Sequence, residues 1–470
     1  MPGLVQREHA PFSRLPPAGQ ADMVPPMNMH TLSSDVPDSS TPKGGLSIRE
    51  LSTFLVEYCS VQLGVGGQTQ RVARTAERIA ASYGCTLQLA VLPRHFIMNV
   101  SDGEKNSTWK ASVGTIHNGP LNFRLLAELN NLSWKAHDHL LTFAELRDQF
   151  HAAVAVPRIK PWVVLFGASC ANAAFCRLFG GDPAAMLIVF AATLVAFRLR
   201  QFMDVRGIGH HCSFITAAFV ASSIAAFCGL AGMTGTPRIA LGSSVLFLIP
   251  GVPMINAMLD ILTGYPLMAF ARSVRAGLLV ICIALGLALA LFISGFDMHS
   301  IPTGTPALGS WVDMLSDGVF AAVASMGFAV ISNPSWRIVC GAGALAALGH
   351  STRFYLLHQS MFGIASATFV AALIIGTLSV VVARRIHIAG EFFSFLALLP
   401  MIPGMYAYDT VLSIMRFMET ADLDMADLYL TAIVKNGMTV LFVMCAMAIG
   451  STVPLLLQRY LPSRERFADK

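Results

Sequence analysis

The sequence predicts an α-helical integral membrane protein of about ten transmembrane helices in two five-helix inverted repeats, preceded by a small cytoplasmic α+β domain. Of its 470 residues, 54% are hydrophobic and 13% are charged, whereas a soluble protein would have about a quarter charged residues. From Pro161 onward, apolar runs of roughly 18 to 28 residues follow one another, each long enough to cross a bilayer. Two of these runs contain the same Ile-Pro-Gly helix breaker.

The segments before the membrane part differ from it in composition. Residues 1–45 are rich in Pro, Ser, Gly and Met, which predicts a disordered tail. Residues 46–156 predict a cytoplasmic domain of order α-α-β-β-α-α, with strands in "CTLQLAVLPRHFIMNVSDG" and "TWKASVGTI". The remaining segments are a first membrane half at 157–296, a periplasmic linker at 297–310, a second membrane half at 311–458 and a cytoplasmic tail at 459–470.

Ten candidate spans divide five and five around the linker, which has no Lys or Arg. They lie near 161–179, 182–199, 208–231, 239–263, 267–295, 311–333, 335–352, 360–383, 389–415 and 430–457. Because five is an odd number, the second half enters the membrane with the opposite orientation to the first. Two such halves, each with a broken helix at its fourth span, are typical of secondary transporters.

Positive charge predicts the orientation. If the amino terminus is cytoplasmic, fourteen Lys and Arg residues lie inside and four outside, as the positive-inside rule requires. Both termini are therefore predicted to be cytoplasmic, in a bacterial inner membrane. The inside set is Arg158, Lys160, Arg198, Arg200, Arg206, Arg272, Arg275, Arg337, Arg384, Arg385, Arg459, Arg464, Arg466 and Lys470, and the outside set is Arg177, Arg238, Arg353 and Arg416.

The two breakers stand in "LIPGVPMIN" and "MIPGMYAYD", and a polar residue follows each proline by six positions: Asn256 after Pro250, and Asp409 after Pro403. Proline removes an N–H and glycine tolerates the resulting dihedrals. Unwound backbone at membrane depth is tolerated only where it is buried in protein or lines a wet cavity. The alternative is a plain proline kink, but the paired occurrence favours a binding site.

The predicted site combines both breaks. Free N–H groups after Gly251 or Pro253 would hold a substrate carboxylate. Asp409, with Asn256 opposite, would hold an ammonium group or a coupled proton. The full predicted set is Pro250, Gly251, Pro253, Asn256, Asp260, Pro403, Gly404 and Asp409, and Arg272 and Arg275 are either cytoplasmic anchors or contacts for an anion.

Other ionisable residues near the spans are not included in the predicted site. Asp313 and Glu391 are expected at exposed span ends, and Asp317 is left open between an exposed and a functional position. His350 is noted as a group that can titrate near neutrality. Nine cysteines are scattered without a CxxC pair, so neither a disulfide framework nor a metal site is expected.

Three stretches resemble the threonine/serine exporters of bacteria. They are "GVGGQTQRVARTAERIAASYG", in which Gly64, Gly67, Thr69, Arg71 and Val72 match that family's helix opening, "LIPGVPMINAMLDILTGYPLMAFARSVRAGLLV" and "ALLPMIPGMYAYDTVL". The resemblance covers about Thr53 to Leu457 and implies a cytoplasmic domain with ten spans that exports small hydroxylated amino acids. Some relatives divide the two halves between two proteins, and two-chain members are associated with succinate export.

The predicted function is therefore secondary export of threonine or serine, driven by a proton or ion gradient, because no Walker A motif is present. Export of a dicarboxylate is the alternative and would need two cationic or helix-terminus anchors. A membrane-tethered hydrolase or sensor is a third reading, based on Ser52, His95, Asp102 and His117. The expected partners are the amino acid, the bilayer and a coupling proton or cation; no enzyme activity, cofactor or nucleic acid is expected, and a homo-oligomer is left open.

Overall fold

The structure, a computed structural model, describes residues 46–102, 109–117, 119–296, 310–359, 362–386 and 390–460. The predicted tail at 1–45, nearly all of the linker and residues 461–470 lie outside the described residues. The described part is mostly helical and has one small sheet. An α-helical fold with a small N-terminal sheet agrees with the sequence-based expectation.

The chain from Ile48 to Val154, here called the α+β part, packs four helices against a three-stranded antiparallel sheet of order β1-β2-β3. Its core includes Tyr58, whose hydroxyl donates to the Leu129 carbonyl at 2.8 Å, and Phe96 of the sheet. The elements are α1 (Ile48–Gly64), α2 (Thr69–Ser82), β1 (Cys85–Val91), β2 (His95–Asp102), β3 (Trp109–Thr115), α3 (Phe123–His137) and α4 (Phe143–Val154).

The sequence predicts two strands in this part, but the structure has three, so the predicted strand count is wrong. The first predicted strand is divided into β1 and β2 by a turn at Leu92, Pro93 and Arg94. Pro93 has no N–H to donate to a neighbouring strand, so an uninterrupted ladder is unfavourable there. The Leu92 N–H closes the turn by donating to the His95 carbonyl at 2.8 Å.

Twelve helices form the described membrane part. They are α5 (Pro161–Leu178), α6 (Pro183–Val205), α7 (His210–Leu230), α8 (Pro237–Ser244), α9 (Gly251–Leu262), α10 (Pro266–Ser294), α11 (Trp311–Ile331), α12 (Trp336–Gln359), α13 (Ile364–Ile386), α14 (Gly390–Leu398), α15 (Gly404–Glu419) and α16 (Leu423–Tyr460). Several of them start with proline, which is suited to the first helical turn because its missing N–H would have no partner there.

Seven described helices are long and apolar enough to cross a membrane, namely α5, α6, α7, α10, α11, α13 and α16. The pairs α8–α9 and α14–α15 are each bent, and the number is nine if each pair is one span. The remaining predicted span corresponds to α12, which is 24 residues long but includes Arg337, His350 and Arg353. The chain is thus a multi-pass membrane protein, and the full count of ten stays a prediction.

Close helix packing recurs in the two halves. In the first half a Cβ on Gly286 of α10 would lie 2.7 Å from the Cβ of Ala218 on α7. In the second half a Cβ on Gly450 of α16 would lie 2.9 Å from the Cβ of Ala372 on α13. Small residues of this kind let helix backbones approach closely in membranes. The third and fifth predicted spans of each half therefore pack through a similar glycine contact.

The α+β part is joined to the membrane part through α3 and α11. The N–H groups of Phe123 and Arg124, at the start of α3, donate to the carbonyls of Ser332 and Asn333 at 2.8 and 3.1 Å. These carbonyls follow the end of α11, so the unpaired groups of two helix termini satisfy each other. The same end of α11 therefore marks the side of the membrane part on which the α+β part lies.

Candidate functional site

Both Ile-Pro-Gly sequences interrupt a helix, as predicted. After α8 the chain passes through a 3-10 turn at Leu246–Leu248 and starts α9 at Gly251, with a bend of 63°. After α14 it passes through a 3-10 turn at Leu399–Met401 and starts α15 at Gly404, with a bend of 47°. The two breaks are thus built from the same sequence of local structures.

The breaks also share one backbone geometry. The φ/ψ values are −77°/58° at Pro250 and −77°/56° at Pro403, which are close to those of an inverse γ-turn. In each break the N–H of the glycine after the proline donates to the carbonyl of the isoleucine before it, at 2.8 and 2.7 Å. Because the proline ring restricts φ, the turn is favoured by the sequence itself.

The structure brings the two breaks into direct contact. The Cδ1 atom of Ile249 lies against Gly404, and the Cδ1 atom of Ile402 lies against Gly251. A Cβ on either glycine would collide with the facing isoleucine, so the contact requires glycine at both positions. We call this arrangement the isoleucine–glycine contact. The side chains that meet the two glycines, Ile249 and Leu246 from one break and Ile402 and Leu399 from the other, are all apolar.

The first turn of α9 has fewer free N–H groups for a substrate carboxylate than the sequence predicts. The Gly251 N–H is used within the γ-turn and Pro253 has none, so Val252 alone keeps an amide without a main-chain partner in the described first turn. In α15 the residues after Gly404 are Met405 and Tyr406, and the amides of both are without a main-chain partner in the described first turn. The first turn of α15 therefore keeps more amides without a main-chain partner than the first turn of α9.

A glycine-rich loop of the α+β part, Gly64–Gln68, reaches the first break. The Asn256 side-chain amide donates to the Gly66 carbonyl at 3.3 Å, and the Arg272 guanidinium donates to the Gly67 carbonyl at 2.9 Å. Gly66 has a φ of +90°, a value that favours glycine, and this turn directs the loop carbonyls at the membrane helices. Asn256 and Arg272, both predicted from the sequence, are thus occupied by the loop.

Asp260 and Arg272 form a buried ion pair at this junction. The Arg272 Nη1 and Asp260 Oδ2 atoms are 2.8 Å apart, and the Asp260 side chain is fully buried. The Thr69 hydroxyl, at the start of α2, donates to the same carboxylate at 3.3 Å. Removal of one partner of such a pair typically costs about 3–5 kcal/mol, because the other charge is left uncompensated. In this conformation neither group is available to a substrate.

A cavity that is partly open to solvent lies beside this junction. The α+β part bounds it with the glycine loop and the first turns of α2 and α3, and the membrane part with α9, α14 and α16. Its polar lining includes Gln68, Gln70, Arg71, Asn256, Thr263, Glu391, Ser394, Ser451 and Thr452, and its apolar lining includes Phe123, Leu126, Ile255, Leu259, Phe392, Phe395 and Leu398.

Arg71 and Glu391 form an ion pair in the lining of this cavity. The Arg71 guanidinium also lies over the Phe392 ring, 4.4 Å from its centroid. Burial lowers the pKa of Arg71 to about 10, so it remains charged near neutral pH. The Glu391 side chain is 34% exposed, and Glu391 lines the cavity. The cavity thus presents one cation and one anion side by side.

The predicted residues are only partly assembled at one place. Asn256 lines the cavity, whereas Asp409 is not among the described residues that do. Asp409 is half-buried in α15, five residues beyond Gly404, and Arg275 is exposed. Arg71 and Glu391 were not selected from the sequence as site residues. Arg71 belonged to a recognised motif, but a span-end glutamate looked solvent-exposed, and only the fold places the two together.

Comparisons with known proteins agree with this architecture. Residues 53–294 match the ThrE model of threonine/serine exporters, and residues 317–457 match a second model described as "Threonine/Serine exporter, ThrE". The chain belongs to the threonine/serine exporter family. The isoleucine–glycine contact therefore joins the two regions of the chain that these models match. Because the family comprises membrane exporters, the hydrolase reading is excluded and the protein is not an enzyme.

Individual relatives carry two different names. A Klebsiella aerogenes protein named "Probable succinate transporter subunit YjjP" is 28% identical over 253 residues, which cover 53% of this chain and 95% of that protein. The Escherichia coli protein of the same name is 32% identical over 182 residues, covering 38% and 70%. A Corynebacterium glutamicum "Threonine/serine exporter" is 27% identical over 255 residues, covering 52% and 51%. No solved structure matches this chain.

Proposed function

We propose that this member of the family exports threonine and serine, and that the cavity beside the first break is where the amino acid enters from the cytoplasm. The Arg71–Glu391 ion pair is the observation that carries the proposal. Without substrate the two side chains neutralise each other. An amino acid has a carboxylate and an ammonium group on one carbon, so it can insert between them, with its carboxylate on Arg71 and its ammonium group on Glu391.

The remaining polar lining suits a hydroxylated side chain. Gln68, Gln70 and Ser394 line the same cavity and offer hydrogen-bond donors and acceptors. Phe392 and Phe395 exclude water from part of it and favour a small side chain that has a methyl group as well as a hydroxyl. Threonine has both groups, and serine has the hydroxyl alone.

The dicarboxylate alternative requires two cationic anchors, and the described lining supplies one. Arg71 is that cation, and Glu391 beside it would repel a second carboxylate. Arg272 could have been the second anchor, but its charge is engaged by the buried Asp260. The charge balance of the cavity therefore favours a zwitterion over a dianion such as succinate, although two relatives carry a succinate name.

We further propose that the two halves are inverted repeats that rock about the isoleucine–glycine contact. The matched γ-turns and the matched Gly286 and Gly450 contacts support a common architecture for the halves. Inverted repeats with broken helices at the membrane midplane are a recurring design of secondary transporters. In this proposal the contact closes the path, and its opening on the far side exposes the amides of Met405 and Tyr406 to the substrate carboxylate and Asp409 to its ammonium group.

The orientation and the energy source belong to the same proposal. We infer that the protein lies in the bacterial inner membrane with both termini in the cytoplasm, which puts the α+β part and the cavity on the cytoplasmic side. Export against a concentration gradient would be driven by a coupled proton or cation.

Counterflow in proteoliposomes tests the substrate. Liposomes that contain only this protein are loaded with unlabelled threonine, serine or succinate, and entry of the same labelled compound is measured. We expect counterflow of threonine and serine and none of succinate, with empty liposomes as the control. Counterflow of succinate without threonine would overturn the assignment and would establish the dicarboxylate reading instead.

A further inference from the structure

A second group of charged side chains lies within the membrane part, away from the cavity. Asp317 of α11 and His350 of α12 are paired through Asp317 Oδ2 and His350 Nδ1, and each side chain is 9% exposed. Arg353, one turn further along α12, interacts electrostatically with Asp317. Ionisable residues inside membrane helices are rare and mark ion or proton pathways. The family assignment does not account for this cluster.

The cluster lies towards the opposite side of the membrane from the α+β part. α11 ends next to Ser332, whose carbonyl accepts from Phe123 of the α+β part. Asp317 precedes Ser332 by fifteen residues, which is about 22 Å along a helix at about 1.5 Å per residue. The cavity, which adjoins α2 and α3, is therefore on one side, and the Asp317–His350 pair is nearer the other.

The helices that carry this pair also touch the second break. A Cβ on Gly349, the residue before His350, would lie 3.2 Å from the terminal methyl group of Met401 in the 3-10 turn. Arg353 interacts electrostatically with Tyr406 of α15. On α11 the Ser325 hydroxyl donates to a carbonyl of α14 at 3.0 Å. The helices of the pair therefore contact α14 and the 3-10 turn that precedes α15.

We propose that the Asp317–His350 pair binds the proton that drives export. The Asp317 carboxylate accepts the hydrogen of Nδ1, which leaves Nε2 of His350 as the basic nitrogen. A proton taken from water on the far side binds Nε2 and changes the pair from a net charge of −1 to zero. Release of that proton to the cytoplasmic side restores the first state. No bond other than N–H forms or breaks, and amino acid and proton cross in opposite directions.

Charged and titratable groups on the packed elements surround the pair. Arg353, three residues beyond His350 on α12, is a cation that interacts with Asp317. Tyr406 lies on α15, and α13 has no titratable residue between Ile364 and Val382. Other titratable or charged groups on the adjoining elements include Asp313 on α11, Arg337 and His358 on α12, Arg177 on α5, Glu391 at the far end of α14, and Asp409, Arg416 and Glu419 on α15.

The inference rests on the proposed export of threonine, and one experiment separates the two. Proteoliposomes with the full chain are tested for threonine counterflow at equal pH, and for threonine uptake driven by an acidic interior. One proton per threonine and a gradient of one pH unit can sustain about tenfold accumulation, because tenfold corresponds to about 1.4 kcal/mol. Proton release is followed with an external pH dye. Absence of counterflow in the unaltered protein would refute the exporter proposal itself.

The variants are Asp317→Asn, His350→Gln and the double change, with Asp317→Glu as the conservative replacement. We expect counterflow in each, loss of the pH-driven accumulation and proton release in the first three, and recovery of both in Asp317→Glu. The double change leaves no unpaired charge on either residue, so it guards against misfolding of the single ones. Asp313→Asn and His358→Gln, on the same two helices, should behave like the unaltered protein.

Two outcomes would overturn the inference. One is pH-driven accumulation by Asp317→Asn or His350→Gln equal to that of the unaltered protein. The other is loss of this drive in Asp409→Asn with retention in all Asp317 and His350 variants, which would assign the proton to α15. If the single and double variants lose counterflow together with the pH drive, the pair is a structural one and the inference is likewise wrong.

Discussion

At the scale of single residues, the most informative side chain is Arg71. It lies in the "GVGGQTQRV" stretch that resembles the family's motif, and its guanidinium is held between Glu391 and the Phe392 ring. The glycines of that stretch allow the loop to press its carbonyls against Asn256 and Arg272. The motif therefore serves the junction with the membrane part and supplies one charge of the cavity.

The first prediction concerns this charge. Arg71→Ala should raise the half-saturation concentration for threonine counterflow about tenfold or more, because a hydrogen bond to a charged group contributes about 1.5–3 kcal/mol. Glu391→Gln should do the same through the ammonium group. The matched control is Arg78→Ala on the same helix, since Arg78 stacks on Trp134 at 3.7 Å and is not among the described residues of the cavity lining.

Unchanged transport in these variants would contradict the first prediction. If Arg71→Ala and Glu391→Gln inserted normally and transported threonine with unchanged half-saturation, the amino acid would not bind at this ion pair. The pair would then be a fastening between the α+β part and α14. In that case Arg71→Ala would be expected to lower the melting temperature without affecting transport.

At the scale of elements, the two breaks are complementary to each other. Each break provides an isoleucine and a glycine, and each isoleucine occupies the space that the other break's missing Cβ leaves free. The γ-turns that produce these positions have nearly identical dihedral angles. In the proposed mechanism this apolar, closely packed contact separates the cavity from the opposite side without an ionic lock.

The second prediction is a steric one. Gly404→Ala places a methyl group against the Cδ1 atom of Ile249 and should block threonine counterflow while the protein still inserts. Shortening the isoleucine in the double variant Gly404→Ala with Ile249→Ala should restore part of the transport, because the space is returned. Gly251→Ala with Ile402→Ala should behave in the same way.

Gly277→Ala is the matched control for this series, because a Cβ there meets nothing within 4 Å and the change leaves α10 intact. Equal loss of transport in the single and double variants would contradict the steric explanation. Normal transport by Gly404→Ala would show that the two breaks separate easily. Either result would remove the isoleucine–glycine contact from the proposed mechanism.

At the scale of the whole molecule, the chain joins an α+β part to two membrane halves that meet at their breaks. The α+β part is held by the ion pair of Arg71 and Glu391, by the loop contacts of Asn256 and by the bonds between α3 and the end of α11. Two membrane regions that match separate family models are thus placed face to face. The proposed orientation assigns the α+β part to the cytoplasm.

The third prediction tests this orientation. A reporter fused after residue 303 should be active on the periplasmic side, and reporters at both termini should be active in the cytoplasm, as the excess of Lys and Arg predicts. The fusion after residue 303 is decisive for the inverted repeat, because an odd number of spans must precede it. A cytoplasmic signal there would refute five spans in each half.

The sequence by itself determined the membrane character, the position of both breaks and the helical content around them. These features depend on local properties: the length of apolar runs, the missing N–H of Pro250 and Pro403, and the freedom of the glycines that follow. The predicted strand count was wrong because apolar and polar residues alternate on both sides of the proline turn between β1 and β2. This local pattern is typical of one continuous strand.

The tertiary structure alone decided which distant residues meet. Ile249 and Gly404, Arg71 and Glu391, and Asp317 and His350 are each paired across many intervening residues. Such pairs depend on how whole helices pack, and an Asp or Glu in an apolar run looks the same whether it faces solvent, a cavity or an imidazole. The sequence therefore predicted a site at the breaks, whereas the packing of the α+β part against α9 and α14 decided which charges line the cavity beside the first break.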